Sequence, residues 1–261
     1  MAQSVITRNK SKNIRIVPLE SDLKNLSDII VDFEYKGQEN IDFSPYVVKK
    51  PWGYEYLFYE CKNSAIWALC LKKDAGTSFH CHPNKKTALL VLKGKVNCST
   101  FTGDHILSRG DVIHLEAKVF HRTCALEDNT WILEIESPVD KADLIRLSDN
   151  YGRKDKGYES LKDYDKISER DDLIQITPSN PEDNFQNADF FLTKNINNIH
   201  EVNENELLAV LSTSSKLFES DSHYICHPSA EVFTHNTFKK HQEALKKLQG
   251  QTLLKITFND D

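Results

Sequence analysis

GTSFHCHPNKKTALLVLKG, residues 76–94, followed by GDVIHLEAKVFH, residues 110–121, decides how this chain is read. In a strand, successive side chains face opposite ways, so His80 and His82 share one face and both imidazoles can reach one ion at roughly 2.0–2.1 Å. His121 follows the turn Gly110-Asp111 and a further β run, so it can arrive from a neighbouring strand. It completes a facial set of three nitrogen ligands and leaves positions open for water or substrate. The expectation is one divalent ion, Zn, Fe, Mn or Ni, on His80, His82 and His121. Cys81, between the first two, turns to the opposite side and packs in the core.

Outward from this stretch the same short β pattern continues. EYLFYE, SAIWALCLKK, TALLVLKG, KVNCSTF, HILS, DVIHL and WILEIES are divided by the turn segments DAGT, HPNKK, TGD and SRGD. Strands at this spacing, with no strand–helix–strand repeat, predict an all-β sandwich or barrel. A closed antiparallel barrel is the expected form, because closure removes exposed edges.

Four regions follow: an N-terminal extension over 1–45, the barrel over 46–153, a polar linker over 154–188 and a β-rich tail over 189–261. The extension carries one amphipathic helix in SDLKNLSDIIVDF, with Ser21 as N-cap and Leu23, Leu26, Ile29 and Ile30 as the stripe that docks on the barrel. Charge without apolar periodicity makes the linker a solvated segment. In the tail, strands such as ELLAVLST and TLLKITF flank a helical stretch ending at Gly250. The tail is either a degenerate second barrel or extra strands that cover the first. His223, His227 and His235 are spaced well enough for a metal, but scattered histidines usually pack or hydrogen-bond, and that is the reading taken.

With 39 acidic against 33 basic residues and a net charge of −6, no basic stripe favours nucleic acid. The apolar runs fall well short of the roughly 20 residues of a membrane span, and the first residues lack a signal peptide's apolar core. A cytoplasmic protein is expected, and the six cysteines, without a CxxC pair, are expected to be reduced.

GTSFHCH, Gly94 and GDVIHLEAKVFH resemble the two sequence motifs of the cupin superfamily, which implies a double-stranded β-helix, the jelly-roll barrel. Where the first motif usually carries a glutamate ligand, this chain has Thr87, whose hydroxyl is a poor ligand. The site is then a neutral three-histidine one or takes a carboxylate from elsewhere, and Glu134 and Glu136 alternate onto one face of WILEIES. KKPWGYE at 49–55 and LEIESPVDKADLIRLSDNYGR at 133–153 further resemble the cupin domain of type II phosphomannose isomerases, which opens on Pro-Trp-Gly and closes on Tyr-Gly-Arg. By that resemblance His82 and His121 stand at metal-ligand positions, His80 where a glutamine is frequent, and Lys85 in place of an arginine near the substrate.

An aldose–ketose isomerase on a sugar phosphate is the first function this implies, within carbohydrate or polysaccharide biosynthesis. Its phosphate grip would come from Lys85, Lys86, Arg122 and Arg153, and its base from Glu134, Glu136 or His114. A three-histidine iron dioxygenase and a non-catalytic sugar-binding cupin are the alternatives. The partners expected are a small sugar-phosphate-like molecule and a second copy in a homodimer, with neither nucleic acid nor membrane.

Overall fold

A computed structural model describes residues 11–30, 41–153, 158, 161–211, 230–246 and 250–259. The N-terminal part gives β1 (Asn13–Ile16), α1 (Glu20–Ile30), β2 (Tyr46–Lys50), β3 (Gly53–Cys61) and β4 (Ser64–Leu71). Next come β5 (Phe79–Cys81), β6 (Lys86–Lys93), β7 (Lys95–Thr100), β8 (Gly103–Ser108) and β9 (Val112–Leu115). Then follow β10 (His121–Ala125), β11 (Thr130–Ser137), β12 (Ile145–Ser148) and β13 (Tyr164–Lys166).

β4 to β11 wind between two sheets, with the order β9-β6-β11-β4 in one and β5-β10-β7-β8 in the other. This is the jelly-roll order of a double-stranded β-helix. β1, β3, β2 and β13 widen the first sheet to eight strands, and β12 widens the second to five. Ladder bonding among the described strands stays within each sheet. The closed barrel is therefore corrected to a two-sheet sandwich, whose faces are joined by side chains.

Register sorts the side chains of the large sheet. Trp67, Glu134 and Leu89 lie side by side, as do Ala65, Glu136 and Thr87, and all six face the second sheet. Ile66, Ile135 and Ala88 take the other face with Leu133 and Leu90. Both faces are covered, which is why SAIWALCL is apolar from Ala65 onward and buried at every position.

The outer cover is the C-terminal sheet: β14 (Glu182–Phe185), β15 (Ala188–Thr193), β16 (Glu206–Val210), β17 (Glu231–Thr234) and β18 (Leu253–Phe258). It is antiparallel in the order β14-β15-β18-β16-β17. Phe185, Phe190, Leu207 and Ile256 pack on Phe58, Leu90 and Trp131 in one continuous core. Helix α2 (His235–Leu245) covers the far face through Phe238 and Leu245. The tail thus consists of extra strands that cover the first sandwich. His235 donates from Nδ1 to the Val202 carbonyl at 2.6 Å, a structural role. His223, His227 and Cys226 lie outside the described residues.

Helix α1 docks where expected, with Leu26 and Ile29 on Cys81, Phe120 and Ile145. Cys81 does turn away from the histidine face. Ser21, however, sits inside the first turn, and Leu23 is exposed. The anchor is Asp22, whose carboxylate accepts from the backbone N–H of Leu19 at 2.8 Å and of Phe120 at 2.7 Å. The polar linker also differs from its reading, because β13 pairs with β2 and Ile176 is buried against the sandwich. Its apolar residues, Ile167, Leu173, Ile174 and Ile176, are too irregular to show a period.

The glycine of Pro-Trp-Gly has a direct cause. Gly53 has φ +149°, and a Cβ there would lie 1.9 Å from the Cys70 carbonyl oxygen. Only a residue without a side chain lets β3 start this close to β4.

Candidate metal centre

β5 and β10 pair so that His121 stands directly opposite His80. With His82 one residue beyond β5, the ring centroids lie 4.4 Å (His80–His121), 5.1 Å (His80–His82) and 5.6 Å (His82–His121) apart. All three side chains are buried, and one nitrogen from each lies within 4.8 Å of the others.

Backbone carbonyls orient the rings. The Nδ1–H of His80 donates to Ser78 at 2.8 Å, that of His82 to Asp143 at 2.6 Å and that of His121 to Val119 at 3.1 Å. A carbonyl oxygen only accepts, so each Nδ1 carries the proton and each Nε2 keeps a lone pair. The Nε2 of His82 is buried without a hydrogen-bond partner. Burial lowers the pKa of His80 and His82 well below the imidazole range and pushes His121 down to about 4, so all three are neutral at pH 7. Asp143 acts twice, because its carboxylate also accepts from the backbone N–H of Asn84 at 3.0 Å and of Lys85 at 2.9 Å. It ties the β5–β6 turn to the segment before β12.

His80 and His82 line a cleft of about 60 Å³ between the sheets. Lys50, Lys85, Lys141, Arg146 and Arg153 line it, against the carboxylates of Glu55 and Glu134. Of the phosphate-binding candidates, Lys85 and Arg153 are therefore in the cleft. Lys86 and Arg122 are not: each sits next to an inward residue and alternation turns it outward. Lys86 Nζ lies 3.7 Å from Glu231 Oε2, and Arg122 Nε donates to the Thr77 carbonyl at 3.1 Å.

The three acid–base candidates separate as cleanly. His114 faces the C-terminal sheet, with Nε2 3.9 Å from Glu231 Oε1. Glu136 faces inward but accepts from Lys85 Nζ at 2.6 Å and from Trp67 Nε1 at 3.1 Å, and its side chain is 0% exposed. Glu134 lines the cleft, with Oε1 3.8 Å from His82 Nε2. Burial raises its pKa above the usual carboxylate value, opposed by the Lys141 ammonium.

The sequence assigned no role to Lys50, Glu55, Lys141, Arg146 or Tyr158, although the first four lie within the two segments that carry the family resemblance. The available signal was charge inside apolar runs, as in GYEYLF and DLIRL. Glu55 binds Lys50 at 3.3 Å, Lys141 at 3.5 Å and the Tyr158 hydroxyl, which donates to it. Lys141 Nζ also sits 3.5 Å from the centroid of the Trp67 ring.

Burial by itself would raise the Glu55 pKa, but Lys141, Lys50 and Tyr158 hold it down to about 2, from an ordinary 4.5. A carboxylate lowered on folding adds stability that is complete above its unfolded pKa and vanishes as pH falls through the folded one. The network should therefore contribute about 3 kcal/mol near neutrality, lost between roughly pH 5 and pH 2. Urea melts of E55Q across that range should show a flatter acid limb than the parent; parallel curves would remove the assignment.

No protein-family model matches the chain, and no curated protein sequence does. Solved structures do match. KdgF from a Halomonas species aligns with TM-score 0.33 and 16% identity over 34% of this chain and 83% of its own. A cupin described as RmlC-like, from Shewanella frigidimarina, gives TM-score 0.34 and 13% identity over 39% and 93%. A protein of Acidithiobacillus ferrooxidans provisionally named a sugar phosphate isomerase gives TM-score 0.28 and 16% identity over 30% of this chain and 52% of its own, so this chain spans about half of its length. Among the described residues no helix is long and apolar enough to cross a membrane.

Proposed function

We propose that this chain is a metal-dependent enzyme of the cupin type acting on a sugar phosphate, with an aldose–ketose isomerase-like reaction. The observation that carries the reading is the cluster of three proton-free Nε2 atoms on buried neutral imidazoles, two of which, those of His80 and His82, belong to rings lining a cleft rich in lysine and arginine. The donor set fits a borderline divalent ion such as Zn, Fe, Ni or Mn. A bound ion would polarise a sugar oxygen as a Lewis acid.

The chain's own residues do the rest. Arg153 is held at the cleft by Asp149, at 2.7 Å from Nη2 to Oδ1, and its fork suits phosphate oxygens. Lys50 and Lys141 add positive charge beside it. Glu134 is the acid–base candidate that faces the cleft.

Metal analysis of protein purified without chelators, followed by a panel of hexose phosphates read for aldose–ketose interconversion, tests the proposal. The expected result is one divalent ion per chain and turnover of at least one hexose phosphate. Oxygen uptake by the iron-loaded protein without isomerisation would favour a dioxygenase instead. Sugar binding without bound metal would make this a non-catalytic cupin.

A further inference from the structure

We propose that Glu134 supplies the fourth protein ligand to the ion held by His80, His82 and His121, in place of the carboxylate that Thr87 cannot provide. This inference rests on the metal reading above and names the carboxylate that completes it.

Charge is the first argument. Three neutral imidazoles leave a divalent ion with its whole charge, in a buried space already lined by Lys85, Lys141 and Arg146. Such a charge calls for an anion beside it. The face of the large sheet toward the histidines offers Glu55, Glu134 and Glu136. Glu136 is taken by Lys85 and Trp67. Glu55 is taken by Lys50, Lys141 and Tyr158. Among the described residues the Glu134 carboxylate accepts no hydrogen bond, and its close polar neighbour is the Nε2 of His82, itself unpartnered.

Distance is the second. Their separation of 3.8 Å is too long for a hydrogen bond. It is within a few tenths of an ångström of the roughly 3.0–3.5 Å that separates neighbouring ligands at about 2.1 Å from one ion, while among the described residues the set of donor atoms all within 4.8 Å of one another is the three histidines, so Glu134 reaches the ion by a side-chain shift from its place beside His82. Register is the third. Thr87 lies across from Glu136, and Glu134 is the next inward residue on the same strand, so β11 can deliver a carboxylate beside the position where β6 has none. Attachment through one oxygen leaves the other facing the cleft. The rival is the Thr87 hydroxyl, buried without a partner, but a neutral hydroxyl does little for the charge.

Cobalt(II) titration of the metal-free full-length chain, followed by visible absorption and by competition with a chelator, separates the possibilities without any activity assay. The parent should bind one equivalent, and H82A should lose it. E134Q should bind at least about 100-fold more weakly than the parent, beyond the 10–100-fold typical of residues outside the direct shell, and its cobalt bands should shift. E134D, with the charge but a shorter reach, should fall between, and T87V should bind as the parent does. Thermal melts of the metal-free variants check that each is folded.

Parent-like affinity and bands in E134Q, with cobalt still lost in H82A, would overturn the ligand role of Glu134 and leave a three-histidine centre standing. A large loss in T87V but not in E134Q would transfer the role to Thr87. Failure of the parent to bind cobalt would end the metal reading itself.

Discussion

Lys85→Met should lower the free energy of unfolding by about 3–5 kcal/mol, the range for removing one partner of a buried ion pair. Lys85 Nζ lies 2.6 Å from Glu136 Oε2, with side-chain exposures of 2% and 0%. Methionine keeps most of the apolar stem but withdraws the charge. Glu136 is then left inside the sandwich with the Trp67 N–H as its remaining donor among the described residues. The loss measures the stranded carboxylate more than the worth of the intact pair. K85M/E136L, which removes both charges, should therefore recover most of the stability. Urea melts at pH 7 with matched slopes give the comparison. A single variant within 1 kcal/mol of the parent, or a double variant worse than the single, would mean the pair is not desolvated as described.

Phe58→Ala should cost a similar amount, about 3–5 kcal/mol, by opening a cavity between the sandwich and its C-terminal cover. Phe58 is fully buried, with its ring centroid 4.9 Å from that of Phe190 and 6.3 Å from that of Phe185. Aromatic contacts of this kind add roughly 0.5–1.5 kcal/mol beyond buried area. The effect should be confined to the outer face. Metal stoichiometry of folded F58A should match the parent, because the histidines lie across the sandwich on the other sheet. A change in metal content in the folded variant would show that the two faces of the large sheet are coupled.

Strand positions in the central region were legible because each β run is short, apolar and closed by a turn with its own chemistry. Histidine alternation was legible for the same reason: a period of two needs no knowledge of neighbours. The same rule, applied across adjacent strands, explains which charged candidates fell outside the cleft. Lys86 and Arg122 are each one residue from an inward position, and His114 lies across from Ala88 on the outer face. Sequence proximity to a motif had placed them near the chemistry, and side-chain direction removed them.

By itself, the sequence determined the all-β character, the two histidine segments and the opposite facing of Cys81, since these follow from local pattern alone. Tertiary structure alone decided that the sheets stay open, that the tail covers the outer face, and that Glu134 reaches the cleft while Glu136 is held by Lys85. The physical reason is that pairing register and burial are set by contacts between segments distant in the chain. A carboxylate's availability depends on which cation folds against it, and no local pattern records that choice.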